Sequence, residues 1–161
     1  MTGRGRMKPF IALLLLLGCI APAVAGTWGY GQFDNDQSLD TSSEWARSGA
    51  VESIHGALAL ATSARYLDSD DAVDALVAAE VVAASLGNAS KDLPESLAAW
   101  IKEQPRARLR ALAPEALAAV ARVRSPDGSE LQELWADQDV DAWHAQLDDL
   151  ASRLSSAAAS R

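Results

Sequence analysis

Residues 70–87 have the sequence DDAVDALVAAEVVAASLG, in which almost every position from Ala75 to Ala84 is apolar. A helix that is apolar on all sides is buried among other elements rather than lying on a surface. Ser69 or Asp70 can cap the start of this helix, and Gly87 is a favourable stop at its end. The segment therefore predicts a central, buried helix.

The segments on both sides of this helix also show helical periodicity, and no run of residues alternates in the way that predicts a β-strand. Pro114 interrupts one segment and indicates either a kink or the first turn of a new helix. We therefore expect an all-α fold, with a single compact, bundle-like domain of six or seven helices over residues 37–156 and a frayed tail at 157–161. The predicted helices are one containing Leu39 and Trp45, one from Ala50 to Tyr66, the helix at 70–87, one from Pro94 to Pro105, one at 109–120, a short helix starting at Ser129, and a last helix capped by Asp139.

The N-terminus has the pattern of an export signal. Residues 7–25 read MKPFIALLLLLGCIAPAVA, with a positive charge at Lys8, an apolar run from Phe10 to Ile20, and the small-x-small cleavage site Ala23-Val24-Ala25. The run is shorter than the ~20 apolar residues that span a bilayer, and no later segment is long and apolar enough to do so. We expect a signal peptide at residues 1–25 and a periplasmic or secreted protein.

A lipid anchor is the alternative interpretation of the same segment. Leu16-Leu17-Gly18-Cys19 has the form of a lipobox, in which acylated Cys19 would become the N-terminus and anchor the protein to a membrane. The apolar run continues past Cys19 to the Ala-Val-Ala site. This favours cleavage after Ala25 over lipidation.

The net charge of the chain limits the classes of partner that it can bind. The chain has 14 basic and 22 acidic residues, and three of the basic but none of the acidic residues lie in the leader, so the remaining chain has a formal charge of −11. Nucleic acid and anionic membrane surfaces both require basic patches, so we exclude them as partners. A cationic protein partner fits this charge. The only cysteine is Cys19, so the chain after the leader has no disulfide and no thiol nucleophile.

The alternation Asp34-x-Asp36-x-Ser38-x-Asp40 resembles the first half of a calcium loop. Leu39 stands where that loop needs glycine, and Trp45 stands where it needs an acidic residue. We interpret Asn35 and Asp36 as the cap of a helix and the other residues as solvated, and we expect no metal site and no cofactor.

Glu80 is the one charged residue within the apolar segment AAEVVAA. A buried carboxylate must be paired or neutral, because an isolated buried charge is very costly. We favour a structural role in which Glu80 accepts hydrogen bonds from backbone N–H groups or an indole of the loop at 26–36. The alternative is a general acid or base working with His55, and these two residues are the only catalytic candidates.

Charge is uneven in the C-terminal half. Residues 102–124 have a net positive charge, while residues 127–149 carry eight acidic residues and no Lys or Arg. The two segments either pair with each other or leave the acidic run free for a cationic partner, with Trp135 and Trp143 as anchors if their indoles are exposed.

Three short motifs occur in order along the chain: WGYGQFDND at 28–36, AAEVVAA at 78–84 and SELQELW at 129–135. Together they resemble the bacterial domain-of-unknown-function family 4259, whose members open with W-G-x-G-x-F-x-N-D. The resemblance spans essentially the whole chain after the leader and implies a small helical domain without an assigned activity. Thr41-Ser42-Ser43 replaces an expected apolar pair, which predicts a short or weakly packed first helix.

The residue types of these motifs suit folding chemistry. In the Gly- and Trp-rich loop at 26–36, the glycines allow close backbone approach and the aromatic residues act as apolar anchors. Its final polar residues can cap the next helix, and the third motif lies on a short helix that can close over the loop. The motif residues with expected structural roles are Trp28, Gly29, Gly31, Phe33, Asn35, Asp36, Glu80, Glu130 and Trp135.

Function remains divided between two classes. Small size, strong negative charge and the lack of a recognisable nucleophile–base pair or metal-ligand set favour a non-catalytic binding module, for instance an inhibitor or immunity-type protein for a cationic partner. The alternatives are a small envelope enzyme that uses Glu80 with His55, and a lipid-anchored envelope protein modified at Cys19.

We predict cleavage after Ala25, because Ala23 and Ala25 fit the small-residue pockets of signal peptidase. Mass spectrometry of the protein recovered from the cell envelope should show an N-terminus at Gly26. A lipid-modified N-terminal Cys19 would contradict this prediction.

Overall fold

The computed structural model describes residues 29–156, and within that range the chain forms eight α-helices and no β-strand. The predicted signal peptide, Cys19, Trp28 and the tail at 157–161 lie outside the described residues. The helices are α1 (Asp36–Ser48), α2 (Val51–Ser63), α3 (Ser69–Ser85), α4 (Glu95–Glu103), α5 (Arg106–Ala111), α6 (Ala113–Arg124), α7 (Glu130–Ala136) and α8 (Val140–Ser156). The predicted all-α class is confirmed.

The apolar segment forms the central helix, as predicted. Every other helix packs against α3, and its residues from Ala75 to Ala83 are all buried. Its cap is Asp68 rather than Ser69 or Asp70, because the Asp68 carboxylate accepts a hydrogen bond of 2.8 Å from Asp71 N. The helix is followed by Gly87, whose φ of 99° lies in the left-handed region that favours glycine.

The structure has one or two helices more than the six or seven expected. The segment around Pro114 is two helices, α5 and α6, and Pro114 lies in the first turn of α6 rather than at a kink. The second helix ends at Ser63, before the predicted Tyr66. Residue Leu67 instead forms an isolated bridge, in which Leu67 N donates to Gly128 O at 3.1 Å and Glu130 N donates to Leu67 O at 2.9 Å.

The first helix is neither short nor weakly packed, so that prediction was wrong. It has 13 residues, and Thr41 and Ser42 are buried in place of apolar side chains. Their hydroxyls are satisfied, since Thr41 Oγ1 donates to Asp74 Oδ1 at 2.6 Å and Ser42 Oγ donates to Ser38 O at 2.6 Å. A buried hydroxyl with a partner avoids the cost of an unpaired polar group.

Between residues 29 and 156, no helix is both long and apolar enough to cross a membrane. The core is instead that of a domain packed on its own helices, with the indoles of Trp45, Trp100, Trp135 and Trp143 buried in one cluster.

Two glycine substitutions test the packing, one at a crowded position and one at an open position. A Cβ on Gly128 would lie 2.0 Å from Arg122 O, so we expect Gly128→Ala to destabilise the fold by about 1–3 kcal/mol. A Cβ on Gly56, an exposed residue of α2, meets no atom within 4 Å, so Gly56→Ala should stabilise the fold by about 0.5–1 kcal/mol. Urea unfolding of both variants measures the difference, and equal effects would contradict the packing described for Gly128.

Candidate functional site

The loop that precedes α1 is wrapped around the carboxylate of Asp34. Gly31 N donates to Asp34 Oδ2 at 2.9 Å, and Asp34 N donates to Gly31 O at 3.1 Å. A Cβ on Gly29 would lie 2.2 Å from Asp34 Oδ2, so the surface that these glycines approach is the Asp34 side chain itself. Phe33 is buried in the core beside this turn.

Asn35 caps α1, as predicted. Its Oδ1 accepts a hydrogen bond of 2.9 Å from Ser38 N, and Asp36 lies in the first turn, where a negative charge favours the helix dipole. Within the described residues, no group of three or more His, Asp or Glu side chains is placed to hold a metal ion.

Glu80 forms a two-bond ion pair with Arg153 of α8. Arg153 Nη2 donates to Glu80 Oε1 at 2.6 Å and Nη1 donates to Glu80 Oε2 at 2.7 Å, and the Glu80 side chain is 0% exposed. Arg153 also donates to Asp149 Oδ2 at 2.7 Å and to Asn88 O at 3.2 Å. Arg153 of α8 is therefore the partner of both Glu80 oxygens, and residues 29–36 of the loop that we expected to supply donors make no hydrogen bond to Glu80, while Trp28 lies outside the described residues.

This pairing determines the titration of both groups. Burial raises the pKa of Glu80, and the hydrogen bonds and charge of Arg153 offset that shift only in part. Burial opposes the charge on Arg153, but its hydrogen bonds to Glu80 and Asp149 outweigh this and raise its pKa. A carboxyl group that is sealed and bonded at both oxygens is a structural element rather than an accessible acid or base.

The structure does not bring Glu80 and His55 together. His55 is exposed on α2, where its Nε2 lies 3.4 Å from Glu115 Oε2. The other histidine, His144, lies 2.8 Å from Gln132 Oε1, and partial burial lowers its pKa. These partners remove the geometric basis for an enzyme that uses Glu80 with His55.

The SELQELW motif connects α7 to both the central helix and the N-terminal loop. Glu130 Oε2 accepts a hydrogen bond of 3.0 Å from Ser69 N, so its carboxylate helps to cap α3. The Trp135 ring lies 5.3 Å from the Tyr30 ring and 6.1 Å from the Trp143 ring. Through Tyr30, α7 packs against the loop that begins the described chain.

The acidic run at 127–149 lacks the anchors that we considered. Trp135 and Trp143 are both buried, so neither indole is available to a partner. The basic segment neutralises little of the run, because Arg124 pairs with Asp148 while Arg106 and Arg110 both donate to Ser85 O. The other arginines of that segment also bind elsewhere: Arg108 pairs with Glu52, and Arg122 donates to Ala64 O and Arg65 O.

A polar cleft of about 460 Å³ opens beside the Glu80–Arg153 ion pair. Three segments bound it, namely the loop at 31–33, the α3–α4 loop at 89–92, and the face of α8 that carries Gln146, Asp149 and Arg153. Gln32 lines the cleft and is only 9% exposed, and its Nε2 has no hydrogen-bond partner within residues 29–156. The cleft therefore combines charged walls with an amide donor that the protein does not satisfy.

Sequence reasoning missed Arg153 and the cleft. A signal for Arg153 was present, since it is the only Lys or Arg between Arg124 and Arg161 and it adjoins the apolar stripe at Leu150 and Leu154. The cleft had no such signal, because its walls come from three segments far apart in the sequence.

These features define a small all-helical domain in which a polar cleft adjoins the ion pair between the buried Glu80 and Arg153. The chain belongs to the family described as Domain of unknown function (DUF4259), whose model matches residues 26–146, and the resemblance drawn from the three motifs is thereby confirmed. Glu80 lies inside the matched range and Arg153 lies outside it. Neither the curated proteins nor the solved structures compared with the chain contain a match.

We predict that Glu80→Ala destabilises the fold by about 3–5 kcal/mol, because it leaves the Arg153 charge largely buried and without its main partner. Glu115→Ala is the control, since it removes a carboxylate from the more exposed pair with His55 and should cost less than about 1 kcal/mol. Chemical denaturation of both variants tests this. Similar losses of unfolding free energy would show that Glu80 has no special structural role.

Proposed function

We propose that this protein is a non-catalytic binding module that holds a cationic protein partner in the cleft between the loop at 31–33, the loop at 89–92 and α8. The observation that carries the proposal is Gln32, a nearly buried side chain whose amide nitrogen has no partner among the described residues. A buried donor without an acceptor costs about 1–3 kcal/mol. A ligand that supplies the acceptor recovers part of that cost on binding.

The groups around the cleft support binding rather than chemistry. The carboxyl group with the most perturbed environment, Glu80, is sealed from solvent and bonded to Arg153 at both oxygens. The charged groups Lys91, Asp92 and Asp149 on the walls are exposed side chains. Such groups suit recognition by charge and hydrogen bonding.

The charge of the cleft favours a cationic partner. Arg153 pairs with both Glu80 and Asp149, so the cleft and the adjoining Glu80 together hold three carboxylates, those of Glu80, Asp92 and Asp149, against the two cations Lys91 and Arg153. The whole chain has a formal net charge of −8, which attracts basic proteins over distances of about a Debye length, ~10 Å.

We further propose that the protein acts after export, as a periplasmic or secreted protein released by cleavage after Ala25. An inhibitor or immunity-type role fits this setting, because such proteins neutralise a partner by covering it and need no catalytic group. Lipidation at Cys19 would keep the same module at the membrane surface.

Charge reversal at the cleft tests the proposal. We expect Asp92→Lys to weaken partner binding about tenfold or more, because it replaces an attractive wall charge with a repulsive one. Asp137→Lys is the matched control, since it makes the same change at an exposed carboxylate of the acidic run.

Proteins retained from an envelope extract by each immobilised variant are quantified by mass spectrometry, and the affinity of the retained protein is then measured after purification. A basic protein that binds the wild type and Asp137→Lys but not Asp92→Lys supports the cleft. Loss from Asp137→Lys alone would place the partner on the acidic run, and retention by both variants would contradict the proposal.

A further inference from the structure

We infer that the cleft recognises an extended peptide segment that carries a Lys or Arg side chain, with a main-chain amide group of the segment paired to the Gln32 amide. This inference rests on the proposed function and specifies the part of the partner that enters the cleft. It depends on the presence of Gln32 in the same cleft as two exposed carboxylates, and it requires the Gln32 side chain to turn its buried Nε2 towards the ligand on binding.

The Gln32 side chain selects for an amide. Its terminal group has one acceptor oxygen and a donor nitrogen, which match the N–H and C=O groups of a peptide bond. Gln32 Nε2 is buried and has no partner among residues 29–156, whereas polar groups of the core such as Thr41 Oγ1 are satisfied. A simple amine has no acceptor oxygen to offer this nitrogen, so it gains less from the site than a peptide does.

Two carboxylates of the cleft favour a ligand that carries a positive charge beside the amide group that binds Gln32. Asp92 lies on the α3–α4 loop and Asp149 lies on α8, so the two form different walls of the same cleft. Asp149 accepts from Arg153 through Oδ2 only and is 63% exposed, which leaves its other oxygen accessible to a ligand. Lys91, next to Asp92, is an exposed donor for a second main-chain carbonyl.

The size of the cleft agrees with a short segment. Its volume of about 460 Å³ lies within the range of ≈ 300–1,000 Å³ typical of ligand pockets. A few extended residues fit such a space, whereas a helix with its side chains, ≈ 10–12 Å in diameter, demands a wider groove. The segment that enters is therefore an exposed loop or a chain terminus of the partner.

Three small probes separate the amide from the charge. The first is acetyl-Gly-Lys-Gly-amide, which has both features; the second is acetyl-Gly-Gly-Gly-amide, which lacks the cation; and the third is n-butylamine, which lacks the amide. Each is titrated at millimolar concentrations into the ¹⁵N-labelled protein while backbone amide shifts are followed. We expect the lysyl peptide to bind about tenfold more tightly than either other probe, with shifts confined to residues 31–33, 89–92 and 146–153.

Two variants assign the contributions to residues. Gln32→Met keeps the length of the side chain and removes its amide group. We expect this variant to bind the lysyl peptide no more tightly than it binds butylamine. Asp92→Asn, at an exposed position that is independent of the core, should weaken the lysyl peptide several-fold and leave the glycyl peptide unchanged. This second variant tests the inference even where Gln32→Met disturbs the fold.

The outcomes distinguish this inference from the proposed function. Equal binding of butylamine and the lysyl peptide overturns the peptide inference, while the cleft remains a site for cations. Failure of the lysyl peptide to shift the cleft residues also overturns it, and the envelope partner then still responds to Asp92→Lys if the proposed function is right. Loss of both responses means that the cleft has no binding role.

Discussion

The ion pair between Glu80 and Arg153 constrains the rest of the structure. Glu80 is the single carboxylate among the buried apolar residues of α3, so it needs a cation from a neighbouring helix, and Arg153 of α8 supplies it through two hydrogen bonds. Asn88 reinforces the contact, since it accepts from Arg153 through its carbonyl oxygen and donates its amide to Arg153 O at 2.8 Å. A buried pair adds little net stability over an apolar pair of the same shape, but breaking it is costly. Its main effect is therefore to specify where α8 lies on α3.

The position of α8 in turn shapes the proposed site. Asp149 and Arg153 lie one turn apart on α8 and form one wall of the cleft. The loop that forms the second wall begins directly after Asn88. The third wall, which contains Gln32, is held by the turn around Asp34 and by the tilted contact between the Tyr30 and Trp135 rings. Motif residues thus hold one wall of the cleft in place, while the charged side chains of Lys91, Asp92 and Asp149 lie at exposed positions.

Local sequence patterns predicted the fold well, because they depend on short-range physics. The all-round apolar character of 75–84 predicted a central helix. For the start of α1 and for Pro114 the sequence left two alternatives each, and the structure has the cap at Asn35 and the first turn of α6 at Pro114. Long-range pairing was not predictable in this way. Periodicity shows that Glu80 is buried, but Arg153 lies 73 residues away and no local pattern joins them. Likewise, Thr41 and Ser42 resemble poor core residues until the hydrogen-bond acceptors at Asp74 and Ser38 are known.

Native-state hydrogen exchange of Arg153→Met tests directly whether Arg153 fixes α8 to α3. Methionine retains most of the side-chain length and removes the charge, so the apolar seam of α8 at Leu147, Leu150 and Leu154 stays intact. We expect the amides of α8 and of the loop at 88–92 to lose protection selectively, while α2 and α6 keep the protection of the wild type. An equal loss of protection in all helices, or none in α8, would contradict the account.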